Sequence, residues 1–264
     1  MKKIVVCIKQ VPDTTEVKLD PVTNTLIRDG VPSIINPDDK SGIEAALCLK
    51  EKYGAFITVV SMGPPQAEVA LREALAMGCD EAILLSDRAF GGADTWATSS
   101  TLAAAIKKLD YDIIITGRQA IDGDTAQVGP EMAEHLQIPQ VSYAESIDIE
   151  GDKVIVKRVY EDRYHIIEMP TPCLITALSE LAKPRYMSVG GITKAYKHKK
   201  ITAWTLADIK DNVDMSNLGL NGSPTKVVKS FTKNAKGTGT KLVDLSSDEA
   251  VDAIVNKLQE KYII

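Results

Sequence analysis

The sequence predicts an α/β protein built on a doubly wound, mostly parallel sheet. Three observations carry that expectation. Short runs of β-branched and other apolar residues, at 4–8, 56–61, 82–85 and 113–115, recur through the first half of the chain. Helical patterns lie between them, at the interval expected for right-handed crossovers. Each run is followed by a polar or glycine-bearing loop, at 7–10, 62–65, 87–95 and 117–127, and parallel strands would open all four on one edge.

Taken in order, 4–8 reads as the first strand, and a small hairpin is expected around Asp20-Pro21-Val22-Thr23-Asn24. Asn36 precedes Pro37 and must be extended or turning. Asp38, Asp39 or Ser41 is a candidate cap for a helix carrying Ile43, Ala46, Leu47 and Lys50 and stopping at Gly54. A second strand at 56–61 closes with Met62-Gly63-Pro64-Pro65, and a helix at 66–77 ends at Gly78. Beyond the third strand, Asp94 is a potential cap for a helix with Thr98, Leu102, Ile106 and Leu109 on one stripe. After Pro139 the helical pattern fades. A hairpin is expected at 153–169, then a strand at 173–177 able to join the main sheet. From 178 to 247 periodicity is poor, which predicts a functional or partner-wrapping arm. A capping box at Ser246-Ser247-Asp248-Glu249 opens a last helix with Val251, Ile254, Val255 and Leu258 on one stripe. The expected domains are therefore 1–178, an α/β nucleotide-binding unit that includes the hairpin, and 179–264, an arm with a terminal helix.

The stretch 112–130 organises the rest. Ile113-Ile114-Ile115 suits a buried strand, Gly117 ends it, and Val128, Met132 and Leu136 mark a helix beginning near Ala126. A loop between a parallel strand and a helix N-terminus presents unpaired N–H groups and a helix dipole to an anion, so this is a candidate nucleotide site. Gly117 and Gly123 would let backbone approach a ligand closely. Asp122 and Asp124 should bind hydroxyls, N–H groups or a cap, and Arg118 is the one cation within the loop.

Composition limits the alternatives. The chain has 264 residues, 44% of them hydrophobic, and a net charge of -5, which argues weakly against a nucleic-acid partner. Cys7, Cys48, Cys79 and Cys173 are scattered singly, as reduced thiols in a cytosolic protein would be, and no metal site is expected. No apolar run reaches membrane-spanning length. There is no P-loop, no glycine fingerprint after the first strand and no GxSxG elbow, and His135, His165 and His198 are isolated. Lys9-Gln10-Val11-Pro12 stands where an ATP-cleaving relative of this fold would carry its glycine-serine loop. The sequence offers a place to hold a nucleotide and no acid–base or nucleophilic machinery, so no catalytic residue is assigned.

Several ordered segments together resemble the beta subunit of electron-transfer flavoproteins. They are Val6-Cys7-Ile8-Lys9, Ile35-Asn36-Pro37-Asp38, Ser61-Met62-Gly63-Pro64, Glu73-Ala74-Leu75-Ala76-Met77-Gly78, Gly117-Arg118-Gln119-Ala120-Ile121-Asp122 and Leu181-Ala182-Lys183-Pro184-Arg185-Tyr186. The resemblance implies the adenine-nucleotide α-hydrolase-like fold and a heterodimer whose alpha subunit carries its own FAD. It also implies a nucleotide at the loops above: AMP in most of the family, a second FAD in the electron-bifurcating branch. The loops 89–95 and 122–130 look like the bifurcating, FixA-like branch. Carried over by position, Cys7, Asn36, Pro37, Asp38, Asp39 and Met62 would line the adenosine half. Gly117, Arg118, Gln119, Asp122, Gly123, Asp124, Thr125, Ala126, Gln127 and Val128 would take pyrophosphate and ribose, with Asp94 and Thr95 reaching the flavin portion. Such a redox carrier would take hydride from NADH and divide the electrons. One would pass to ferredoxin or flavodoxin, the other through the alpha-subunit FAD to an acyl-CoA dehydrogenase. A dehydrogenase would dock on Leu181, Pro184 and Arg185, with Leu181 as an exposed anchor. The alternative is a non-bifurcating carrier holding structural AMP.

Overall fold

A computed structural model describes residues 2–13, 32–228, 237, 239 and 241–264. The hairpin expected around Asp20 lies outside them. The first compact unit, 1–228, is ordered β1 (Lys3–Cys7), β2 (Gln10–Pro12), β3 (Ser33–Ile35), α1 (Pro37–Tyr53), β4 (Phe56–Met62), α2 (Glu68–Met77), β5 (Glu81–Leu85), α3 (Thr95–Ile106), β6 (Ile113–Gly117) and α4 (Val128–Leu136). It continues through β7 (Gln140–Glu150), β8 (Lys153–Val159), β9 (Tyr164–Pro170), β10 (Cys173–Ala177), α5 (Val189–Lys197), β11 (Ile201–Trp204) and α6 (Leu206–Ile209).

Nine strands make one sheet in the order β11-β5-β4-β1-β6-β10-β7-β8-β9. Pairing is parallel from β11 to β7 and antiparallel from β7 to β9. The expected mixed α/β architecture is therefore present. Successive side chains on a strand face opposite ways, which explains why the parallel strands read as unbroken apolar runs. Ile113 and Ile115 pack with Ile43 and Leu47 of α1 and Leu71 and Leu75 of α2. Ile114 lies in the other layer, with Leu102 and Ile106 of α3 and Met132 of α4. Each such fully buried side chain stabilises the fold by about 1.5–3 kcal/mol relative to exposure.

Four features differ from the sequence reading. The helix after Asn36 takes no side-chain cap; Pro37 starts it, and Gly54 ends it in a left-handed conformation (φ 72°). The helix expected near Ala126 begins at Val128, because Asp124 and Ala126 have positive φ (50° and 54°). Gln140–Glu150 is a long strand that propensity did not announce: one edge pairs with β10 and the other with β8. Within the expected arm, Ile201–Trp204 adds to β5 in parallel, so the first unit extends to Val228. A four-residue strand and a helix containing Gly190-Gly191 are too short and too weakly periodic to be read from sequence.

The second unit, 229–264, contains α7 (Ser247–Glu260). It opens with the expected capping box: Ser246 N donates to Glu249 Oε2 at 2.8 Å, and Glu249 N donates to Ser246 Oγ at 3.3 Å. Among the described residues, no helix is long and apolar enough to cross a membrane.

Candidate functional site

The connection from β1 runs through α1 to β4 on one side, and that from β6 runs through α4 to β7 on the other. The C-terminal ends of the neighbouring strands β1 and β6 therefore form a topological switch point, where open α/β sheets leave a crevice. Asp39, in the first turn of α1, ties the two ends together. Its Oδ2 accepts from Lys9 N (2.7 Å) and its Oδ1 from Gly117 N (2.9 Å). Asn36 is fully buried and clamps the next loop: Nδ2 donates to Gln119 O (2.8 Å) and Oδ1 accepts from Ile121 N (3.0 Å). Gly117 is needed for this packing rather than for ligand approach, because an added Cβ would stand 2.9 Å from Asp38 Cβ and from Asp39 N, and closer still to Asp39 Oδ1.

Burial pushes the Asp39 carboxyl up to about 7, against the donors at Lys9, Asn36 and Gly117. The folded chain then keeps a proton that the unfolded chain releases near its ordinary 3.8, so the stability contribution falls as pH rises through that window. Asp39→Asn is expected to flatten the profile. Urea unfolding at pH 5 and pH 8 should show the parent losing stability relative to the variant, and parallel profiles would refute this.

The charges around the loop are mostly matched. Lys9 Nζ donates to Asp122 Oδ1 at 2.6 Å, with the Asp122 side chain only 2% exposed. Gln119 Nε2 donates to Asp124 Oδ1 at 2.9 Å. Lys9 is thus a second cation at the loop, beside Arg118, and it matches the charge of the enclosed Asp122. Arg118 Nε lies 3.3 Å from Asp38 Oδ2, yet neither atom has an aligned hydrogen-bond partner among the described residues. Ser61 Oγ and Asp122 Oδ2 are also buried and unpartnered. Buried polar atoms are rarely left so.

The 121–127 loop is open, and nothing stands within 4 Å of a Cβ built on Gly123. Left-handed backbone at Ala126 costs of order 1–2 kcal/mol, strain of the kind that clusters at ligand sites. Thr95 Oγ1 meets Gln127 Oε1 (3.4 Å) and Glu131 Oε1 (3.2 Å), so the N-termini of α3 and α4 face the same space. Thr125 and Gln127 are exposed there, and Val128 packs against the core layer of α3 and α4. Asp94 caps α3, with Oδ1 accepting from Ala97 N (3.0 Å), and its other oxygen is used within the chain. At the strand ends, Met62 packs on that same layer, and the buried Cys7 thiol, pushed up to about 12 mainly by burial, stays protonated.

The 181–186 segment corrects one expectation. Leu181 is not an exposed tip; it packs against the core. Leu181 N donates to Leu178 O (3.1 Å) and Ala182 N to Ser41 Oγ (3.0 Å), folding the segment back onto α1. Arg185 is held by Glu44 (2.7 Å) and Glu51 (2.5 Å), and Pro184 is half-buried. The exposed apolar side chains follow it: Tyr186 is 99% and Val189 83% exposed.

Sequence reasoning missed Lys9, Ser61, Gly129 and the residues that hold Asp94. Lys9 and Ser61 sat inside matched segments, at strand exits, which was the available signal. Gly129 lets α4 close on the sheet, since its Cβ would be 2.7 Å from Thr116 Oγ1 and 2.8 Å from Thr176 Cγ2.

Comparison with known proteins gives the family. A family model described as electron transfer flavoprotein domain matches residues 23–209. The chain is 61% identical to the electron transfer flavoprotein subunit beta of Clostridium acetobutylicum, over 99% of each chain. It is 56% identical to the caffeyl-CoA reductase-Etf complex subunit CarD of Acetobacterium woodii, over 99% of this chain and 100% of that one. Protein FixA of Azorhizobium caulinodans is 42% identical, over 97% of this chain and 93% of its own.

Proposed function

The chain belongs to the electron transfer flavoprotein beta subunits, and from that premise we propose that it holds FAD at the switch point, in a heterodimer with an alpha subunit that carries a second FAD. NADH is the proposed donor. The proposed acceptors are ferredoxin or flavodoxin and, through the alpha-subunit FAD, an acyl-CoA dehydrogenase or reductase. When bound, the flavin supplies acceptance of a hydride and delivery of its electrons one at a time.

The carrying observation is the donor set. Ser61 Oγ, Asp122 Oδ2 and the ion-paired Arg118 Nε and Asp38 Oδ2, 3.3 Å apart, are buried with no hydrogen-bond partner among the described residues. A guanidinium suits phosphate, and carboxylates suit ribose hydroxyls or an adenine amino group, so these residues fit an adenine nucleotide. Asp39 and Asn36 hold the loop, and Lys9 neutralises Asp122. Open space at Gly123 and the facing N-termini of α3 and α4 favour the larger, diphosphate-bearing FAD over AMP. The similarity to CarD and FixA supports the bifurcating branch.

Acid extraction of the purified heterodimer, followed by quantifying flavin and AMP, tests this reading. Two flavins and no AMP per heterodimer are expected. One flavin with stoichiometric AMP would leave an ordinary single-flavin carrier. Gly123→Val should remove one flavin, and NADH oxidation with it, while the alpha-subunit FAD stays.

Partner docking is proposed on the segment after Arg185. Tyr186→Ala is expected to slow electron transfer to the dehydrogenase several-fold with flavin content unchanged. Leu181→Ala should instead lower stability, because that side chain packs inward. A docking defect confined to Leu181→Ala would reverse the assignment.

A further inference from the structure

Residues 218–225 lie across the loop that leads into α3, and the fit is close at every step. Leu218 is buried in the core layer of α3 and α4. Leu220 N donates to Gly91 O (3.0 Å), and a Cβ on Gly92 would meet Leu220 Cβ at 3.1 Å. Gly219 has a positive φ (53°), and a Cβ there would stand 3.0 Å from Gly91 O and closer still to Ala89 O. Asp94 is the fastening point. Its N–H donates to Ser223 Oγ (2.9 Å), and its Oδ2 accepts from Thr225 N (2.9 Å) and Thr225 Oγ1 (2.7 Å). Ser223 Oγ in turn donates to Gly219 O (2.7 Å). Burial raises the Asp94 carboxyl, but the bonds it accepts from Ala97 and Thr225 outweigh it and hold the group below its ordinary range. A carboxylate so fully used is a fastener, not a flavin ligand.

The next residue, Thr95, reaches Gln127 and Glu131 across the candidate site. One residue therefore separates the fastening of the strap from the wall of the site. On the other side, the chain leaves Thr225 just before the second compact unit begins after Val228.

We propose that the 218–225 strap and the nucleotide site are coupled through Asp94: the fastened strap sets the 91–95 loop in its nucleotide-holding form, and bound nucleotide holds the strap down. The proposal rests on the nucleotide site of the preceding section, but not on whether that nucleotide is FAD or AMP. Coupling of this kind is reciprocal, so each effect must appear in the other with the same factor.

The test uses the purified heterodimer with FAD and AMP as separate probes. Ser223→Ala/Thr225→Val loosens the strap while leaving Asp94 and its cap on α3 intact. About a ten-fold weaker affinity for the retained nucleotide is expected, with a similarly faster proteolytic cleavage within 218–228. In the parent heterodimer, which needs no substitution, saturating that nucleotide should slow the same cleavage by the same factor. Thr225→Val alone should give a smaller effect in the same direction, should the double variant fold poorly. Faster cleavage of the variant with unchanged nucleotide affinity, or a cleavage rate in the parent that ignores nucleotide, would overturn the coupling. Binding of AMP but not FAD would refute the flavin reading of this subunit, and the coupling would then be read with AMP.

Discussion

Gly117→Ala is expected to destabilise the first unit by about 3 kcal/mol, the upper range for overpacking a well-filled core. The added methyl would overlap Asp39 Oδ1, Asp38 Cβ and the Asp39 backbone N, and two of these cannot rotate away. Relief requires α1 to move off the end of β6, which breaks the bonds from Lys9 N and Gly117 N to the Asp39 carboxylate. Gly123→Ala, a few residues on, meets nothing within 4 Å and should change stability by less than about 0.5 kcal/mol. Urea midpoints of the two variants, measured side by side, check the pair. Equal effects would mean that the close packing of Asp39 against β6 does not exist in solution.

That contrast also shows what sequence could and could not reveal about the site. Both glycines drew attention for the same reason, their place in a loop after a strand, and only the fold separates a glycine that admits a neighbouring carboxylate from one that borders open space. The parallel strands were legible because a strand buried on both faces needs continuous apolar residues, as Ile113-Ile114-Ile115 has. Gln140–Glu150 was not, because its burial alternates irregularly around Tyr143, a residue with positive φ, where its register with β10 shifts, and its register with β8 shifts between Ala144 and Ser146. The loop at 117–128 stood out as a candidate, whereas the clamps that shape it come from Lys9, Asn36 and Asp39, and those on the 91–95 loop from Ser223 and Thr225. Those residues converge from opposite ends of the chain, and spacing along a sequence carries no trace of such convergence. Leu181 shows the converse error: an apolar residue near Lys183, Pro184 and Arg185 was read as exposed, but ion pairs from Arg185 to Glu44 and Glu51 hold its segment against α1.

Lys9→Met should cost about 2–3 kcal/mol, below the usual range for breaking a buried pair because Lys9 is itself half-exposed. The loss comes less from the attraction that is removed than from what stays behind. The Asp122 side chain is almost fully enclosed, its Oδ2 has no partner among the described residues, and Lys9 is the partner of its Oδ1. Without the ammonium, a carboxylate is stranded in a poorly solvated place, and the loop can relieve it only by pulling Asp122 outward. That motion opposes the clamp from Asn36 to Gln119 O and Ile121 N. Nucleotide retention should therefore fall together with stability. Asp122→Asn in the Lys9→Met background removes the stranded charge and should recover most of the stability, a coupling that a double-mutant cycle of urea midpoints reads directly. Nucleotide retention should recover less, since the amide replaces a carboxylate oxygen that suits a ribose hydroxyl. Additive losses in the cycle would show that Lys9 and Asp122 do not act as a pair, and that the acidic residue in this loop is held by some other means.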